Sequence, residues 1–431
     1  MGRNVNKQNI IEIAVSDVVW RKDLYPRFEP DPARIQQYAE VVELLPPIEI
    51  NQRNELIDGY HRWVAHRKNG LDIIEAIVTH TESDIELDRL MAKRNADFGI
   101  QLTNEEKKRK ARQWFTDLST DEEQMAEDLA VTVRTIRRWL SRKKKDMKAD
   151  RDRQIAEMWL ACHTEEEIAE AVGVDQSTVN RQVKELCKSD IWQDCIIFSE
   201  YRNQKWKPPL YDVWKVQNKS NETSHPGNSE AQWVDNLLYM YTEPFDIVVD
   251  PFAGGGSTID VCKQRLRRYW VSDRKPILER EHEIRQWDIL QGPPDLHKRW
   301  GDVALMYLDP PYWKQAKGKY GDAPEDLSNM SLERFYDVLT VFVGECAEKM
   351  HAGAKIALII QPTQWFAPDR TKPVDHVVDL IMRLQDAPMR YVRRIAAPYE
   401  SQQCNAQQVE WAKNHREVLV ISREIIVWEV V

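Results

Sequence analysis

Three of the 15 glycines in this chain stand in a row in DPFAGGGST, residues 250–258, directly after the apolar run DIVV and directly before the helical run TIDVCKQRL. Glycines at a strand-to-helix turn take backbone angles closed to other residues and let a ligand approach the main chain. A tight turn alone would also use glycine, so the flanking pattern has to decide. From residue 246 onward, the strand-like segments DIVVDPF, YWVSD, VALMYLDPPY and AKIALIIQP alternate with helical ones, and MRYVRRIAAP and EVLVISREIIVWEV close the chain. This alternation predicts an α/β domain: a doubly wound, mostly parallel sheet with an antiparallel hairpin at its edge.

In such a sheet, carboxylates at successive strand ends face the ligand. YWVSD ends in Asp273, which can accept hydrogen bonds from ribose hydroxyls, and IRQWDIL offers Asp288 at a position suited to an adenine amino group. Either aspartate alone would read as a helix cap or surface residue. It is their placement after successive strands that suits a nucleotide.

A second motif carries chemistry. The apolar strand VALMYL runs straight into Asp309, Pro310, Pro311, Tyr312 and Trp313. An exocyclic amine conjugated to a base ring is a poor nucleophile, and acceptors for its protons favour the tetrahedral nitrogen whose lone pair can attack a methyl group. Asp309 and the carbonyl of Pro310 can supply both acceptors. The prolines stiffen the loop, and Tyr312 offers a face on which an extruded base can stack.

With DPFAGGGST and DPPY in this order, the region from about 205 to 431 resembles the amino-methyltransferases that modify adenine N6 or cytosine N4 in DNA. The resemblance implies a Rossmann-like methyltransferase domain that uses S-adenosylmethionine. It also implies cofactor contacts from Asp250, Phe252, Gly254, Gly256, Ser257, Thr258, Asp273 and Asp288, and from His225 and Pro226 in the methionine-side stretch TSHPGNS. A catalytic motif that begins with Asp usually accompanies adenine in that family, so Asp309 favours adenine N6 over cytosine N4. The loops at 313–330 and 363–374 are short for a target-recognition insertion, which moves the expected sequence choice to the N-terminal half.

In that half, NELIDGYHRWVAHRKNGLDII (54–74) reads as a strand, a polar turn with Gly59, His61 and Arg62, and a helix whose first amides can hold phosphate. The string resembles the ParB and sulfiredoxin-like fold, which implies CTP or ATP at this turn. Two helix-turn-helix candidates follow, at 121–145 and 165–188. Each has a central alanine in its first helix (Ala126, Ala169) and an apolar anchor in its second (Ile136, Val179). Arg134, Arg137 and Arg138 in the first, and Gln176, Ser177, Asn180 and Arg181 in the second, would face a DNA groove. A helical hairpin used only for packing or dimerisation would share this layout. Thr103 and Thr120 are placed as helix caps.

The expected organisation is therefore a ParB-like α/β domain at 1–102, an all-helical DNA-binding region at 103–190 and the methyltransferase domain at 191–431. The net charge of −9 argues against nucleic-acid binding by the chain as a whole, but the basic residues cluster between Arg134 and Lys145. Six scattered cysteines suggest neither a disulfide framework nor a metal site, and no apolar run is long enough to span a bilayer. The expectation is a cytoplasmic protein whose partner is double-stranded DNA, with no membrane and with room for a homodimer. The main alternative is a ParB-like DNA-binding or partition protein that keeps the methyltransferase fold as scaffold. Methylation of RNA or of a protein glutamine is a further alternative, disfavoured by Asp309.

Overall fold

The computed structural model describes residues 10–97, 101–117, 120–188, 210–215, 230–314, 323–362, 374–398 and 404–431. The chain folds as two compact units, Met1–Asp150 and Arg151–Val431. The boundary between these units, after Asp150, falls within one long helix, α6 (Val133–Leu160).

In the first unit, β1 (Ile10–Ala14), β4 (Ile73–Val78), β2 (Ile48–Ile50) and β3 (Leu56–Asp58) lie side by side in that order. Only β2 and β4 are parallel. Ile13, Ile48, Ile50, Leu56 and Ala76 form the core of this sheet with Trp63 from α2 (Tyr60–Lys68), which packs against α1 (Pro32–Glu40). A second core lies among α3 (Asp84–Asp97), α4 (Asn104–Asp117), α5 (Glu122–Asp128) and α6, built on Trp114, Met125, Leu129, Ile136 and Leu140. Thr103 caps α4 as expected: its hydroxyl accepts from the Glu106 amide, and the Glu106 carboxylate accepts from the Thr103 amide. Thr120 is not a cap. Helix α5 begins later, and the carboxylate of Asp121 accepts from the Gln124 amide at 2.7 Å, a stronger acceptor for an N-terminus than a hydroxyl.

The second unit holds a seven-stranded sheet in the order β10 (Met389–Pro398), β11 (Ser422–Val430), β9 (Lys355–Ile360), β8 (Val303–Leu308), β5 (Ile247–Asp250), β6 (Arg268–Asp273), β7 (Arg285–Gln286). Strands β9, β8, β5, β6 and β7 are parallel, and β11 runs antiparallel to both β9 and β10. Alternate residues of the central strands serve opposite faces. Val249, Met306 and Leu308 pack with α11 (Leu332–Ala347) and α12 (His376–Arg383), while Val248, Leu305 and Tyr307 pack with α9 (Ala231–Tyr241) and α10 (Ser257–Gln264). This is the doubly wound arrangement predicted from the alternating runs. The last two strands are joined through α13 (Ala406–His415) rather than by a tight turn.

The second helix-turn-helix pair, α7 (Glu165–Val172) and α8 (Gln176–Leu186), shares the core of this second unit through Ile168 and Val179. Gly173 ends α7 at φ +68°. Trp159 anchors the same region: the Arg268 guanidinium lies 4.6 Å above its ring, and Arg285 donates to the Ala161 carbonyl at 2.7 Å. No described helix is long and apolar enough to cross a membrane.

One buried pair dominates the first unit. Lys110 and Asp88 are 1% and 2% exposed and bonded to each other, with Trp114 Nε1 donating to Asp88 Oδ2 and Lys110 Nζ to the Leu24 carbonyl at 3.0 Å. Removing one member strands the other charge. Asp88→Ala should therefore destabilise the first unit by about 3–5 kcal/mol, read from urea unfolding of the full chain, and a loss below about 1 kcal/mol would contradict this role.

Candidate active site

The sheet changes direction of progression on either side of β5, and a cleft opens beyond the carboxyl ends of β5, β6 and β8. Such a switch point is where open α/β sheets bind ligands. Its walls include Phe252 and Gly254 of the glycine turn, Asp273 after β6, Asp288 after β7, and Asp309 and Pro311 after β8. The two sequence motifs thus meet in one cavity.

The turn is folded back by Asp250, which is 1% exposed. Its Oδ1 accepts from the Phe252 amide at 2.8 Å, and its Oδ2 accepts from the Thr258 hydroxyl at 2.6 Å. Gly254 and Gly256 have φ of +51° and +82°, the left-handed region that favours glycine. Ser257 and Thr258 open α10 and are buried. Phe252 and Thr258 therefore touch Asp250 directly, and Asp250 itself acts on the loop rather than lining the cavity.

Asp273 Oδ2 accepts from the Gly254 amide at 3.1 Å and Oδ1 from the Lys275 amide at 2.9 Å, which ties the end of β6 to the turn. Asp288 Oδ1 accepts from the Leu290 amide at 3.0 Å, and Oδ2 pairs with Arg274 Nε at 3.2 Å. At β8, the Tyr312 hydroxyl donates to Asp309 Oδ1 at 3.0 Å. Burial, followed by the Asp309 charge, holds the Tyr312 hydroxyl well above its ordinary pKa, so it stays a donor. The Arg423 guanidinium from β11 lies 5.3 Å from the Tyr312 ring centroid. Trp313 is buried, with Nε1 donating to the Met330 carbonyl at 2.9 Å, which pins the chain just beyond the motif. His225 and Pro226 lie outside the described residues.

Several lining or supporting residues had no signal in the sequence. Arg274 and Asp326 line the cavity, and Arg280 backs the turn by donating to the Gly256 carbonyl at 3.1 Å and to both Asp260 oxygens. None belongs to a motif, because each acts through contacts distant in the chain.

The other expected residues fall elsewhere. Gly59 (φ +103°), His61 and Arg62 line a cavity in the first unit together with Trp20, Tyr25 and Arg27. A Cβ at Gly59 would lie 2.7 Å from Ile48 Cγ2, so the turn needs glycine. Arg62 is engaged by Asp58 at 2.8 Å and by the carbonyls of Pro46 and Pro47, and His61 Nε2 accepts from the Asp31 amide. Arg134, Arg137 and Arg138 are exposed on α6, with Arg137 paired to Glu122 at 2.7 Å. Gln176, Ser177 and Arg181 are exposed on α8, where Gln176 donates to Glu166 and the partly buried Asn180 to Glu165. Among the described residues no group of three or more His, Cys, Asp or Glu side chains is placed to hold a metal ion.

Burial pushes the Asp250 carboxyl up to about 7, with the Asp309 and Asp273 charges adding to the rise and the Thr258 and Phe252 donors opposing it. A carboxyl raised from its unfolded value near 4 contributes stability at low pH that is lost as pH rises through about 7. Asp250→Asn cannot titrate. The stability of the native protein relative to this variant should therefore fall between about pH 4 and 7, by up to about 1.4 kcal/mol per unit, as read from urea midpoints at both ends of that range. A relative gain with rising pH would contradict the assignment.

Residues 89–276 match the family model described as DNA methylase. The Type II methyltransferase M.BglII of Bacillus subtilis is 28% identical over 125 residues, which make up 26% of this chain and 34% of that protein. The match thus spans about a third of the relative's length. Among solved structures, TrmN from Thermus thermophilus aligns at 12% identity and a TM-score of 0.30, covering 48% of this chain and 50% of that one. The C-terminally truncated chromosome-partitioning protein ParB from Caulobacter crescentus complexed to the centromeric parS site aligns at 15% identity and a TM-score of 0.25, covering 30% and 70%. On the family model and the Type II relative, part of this chain is similar to DNA methylases.

Proposed function

We propose that this chain transfers a methyl group from S-adenosylmethionine to the N6 amine of adenine in double-stranded DNA. The observation that carries the reading is the meeting of Asp309 with the glycine turn and Asp273 in one cavity at the switch point of the sheet. The residues present fit the cofactor: an apolar wall from Phe252, Trp287, Ile289 and Leu290 suits an adenine ring, and carboxylates follow β6 and β7.

When bound, the cofactor supplies an electrophilic methyl carried on a sulfonium sulfur. Asp273 and Asp288 would hold the adenosine, and the Gly254–Thr258 turn would accommodate the remainder. An extruded base presents its amine to Asp309 and the Pro310 carbonyl, which accept its two N–H groups. The nitrogen lone pair would then be free of the ring, and Asp309 would take up the proton that the amine sheds on receiving the methyl group. The Tyr312 hydroxyl, which now donates to Asp309, yields that acceptor to the amine, and its ring stacks on the base. Arg134, Arg137 and Arg138 on α6, and Gln176, Ser177, Asn180 and Arg181 on α8, meet DNA phosphates and base edges. The cavity beside Gly59, His61 and Arg62 takes CTP or ATP, and the protein works as a monomer or a homodimer on its DNA.

Asp309→Ala is expected to lower transfer of tritiated methyl to plasmid DNA by at least about 100-fold, while calorimetry finds S-adenosylhomocysteine binding within about threefold of native. Native-level transfer by this variant would overturn the catalytic assignment.

A further inference from the structure

Asp326, which no sequence motif contains, lines the same cavity. Its side chain is 8% exposed. Oδ1 pairs with Arg274 Nη1 at 2.5 Å, whereas Oδ2 is buried without a hydrogen-bond partner. An unpaired buried carboxylate oxygen is costly, and in a ligand cavity it marks a place where a donor is missing. The loop holds this side chain in position by short-range bonds: the Asp326 amide donates to the Ala323 carbonyl at 3.1 Å, and the Asn329 amide to the Asp326 carbonyl at 2.8 Å.

The location indicates which donor. Arg274 directly follows Asp273 and pairs with Asp288 on one side and Asp326 on the other, so the three side chains form a strap across the β6–β7 end of the cavity. The ribose acceptor sits at the end of β6, so the next strand outward is where the base of the cofactor belongs. Asp309, by contrast, follows β8 on the other side of β5. Both Asp288 oxygens are already engaged, by the Leu290 amide and by Arg274. Trp287, Ile289, Leu290 and Leu327 supply the apolar flanks that a purine ring requires.

We propose that Asp326 is a specificity-determining residue: its free Oδ2 accepts the exocyclic amine of the cofactor's adenine, held in place by Arg274. The inference rests on the reading of this cavity as a S-adenosylmethionine site. It predicts that the pocket discriminates at position 6 of the purine, since a carboxylate that accepts an amino group repels the carbonyl of hypoxanthine.

The test compares calorimetric affinities of the full chain for S-adenosylhomocysteine and S-inosylhomocysteine, which differ at that position. The native chain should prefer the adenosyl compound by about tenfold or more, and Asp326→Asn, whose amide can offer N–H to a carbonyl, should bring the two within about threefold. Asp326→Glu, which keeps the carboxylate, should retain a preference for the adenosyl compound even if the amide variant fails to fold. An unchanged preference in Asp326→Asn, or a native chain that binds both compounds equally, would overturn the role of Asp326 while leaving the cofactor site standing. A native chain that binds neither would overturn the site itself.

Discussion

A single buried carboxylate, that of Asp250, sets the geometry on which the candidate site depends. It closes the glycine turn from within, accepting from Phe252 at one end and Thr258 at the other. A loop that must bring its backbone close to a ligand cannot rely on bulky side chains for rigidity, and an internal acceptor provides it instead. The strain of the positive φ angles at Gly254 and Gly256 is avoided by glycine, and Arg280 then secures the outer side of the turn. Asp273 extends the same logic by tying the neighbouring strand end to the Gly254 amide.

Around that turn, the parallel register of β8, β5 and β6 brings three chemically different strand ends side by side. The apolar content of those strands, buried on both faces, makes the register costly to shift, because a one-residue slip exchanges the two packed faces. The sheet therefore acts as the ruler that sets Asp309 apart from Asp273. The same core extends outward through Trp159 to α7 and α8, so the second helix-turn-helix pair is built into the unit that holds the site. The first pair belongs to the other unit, around Trp114 and Ile136.

Features governed by local chemistry were legible in the sequence. The strand-turn-helix at 246–264, the DPPY strand end and the Thr103 cap all follow from nearest-neighbour patterns. Thr120 misled because two adjacent residues both suit a cap, and the choice depended on where α5 begins. The attachment to the sheet of the segment just before α7 was invisible because it rests on Arg268 and Arg285, which bond the carbonyls of Trp159 and Ala161 from more than 100 residues further along the chain. Arg274, Arg280, Asp326 and Arg423 escaped notice for the same reason: a charged residue announces a role only when its partner is known.

The role proposed for Asp309 is to present an adenine amine to a methyl donor. Nucleoside mass spectrometry of plasmid DNA treated with the purified chain and S-adenosylmethionine carrying a carbon-13 methyl group tests it directly. Label is expected in N6-methyladenine, whereas label in N4-methylcytosine, or in neither base, would contradict that role.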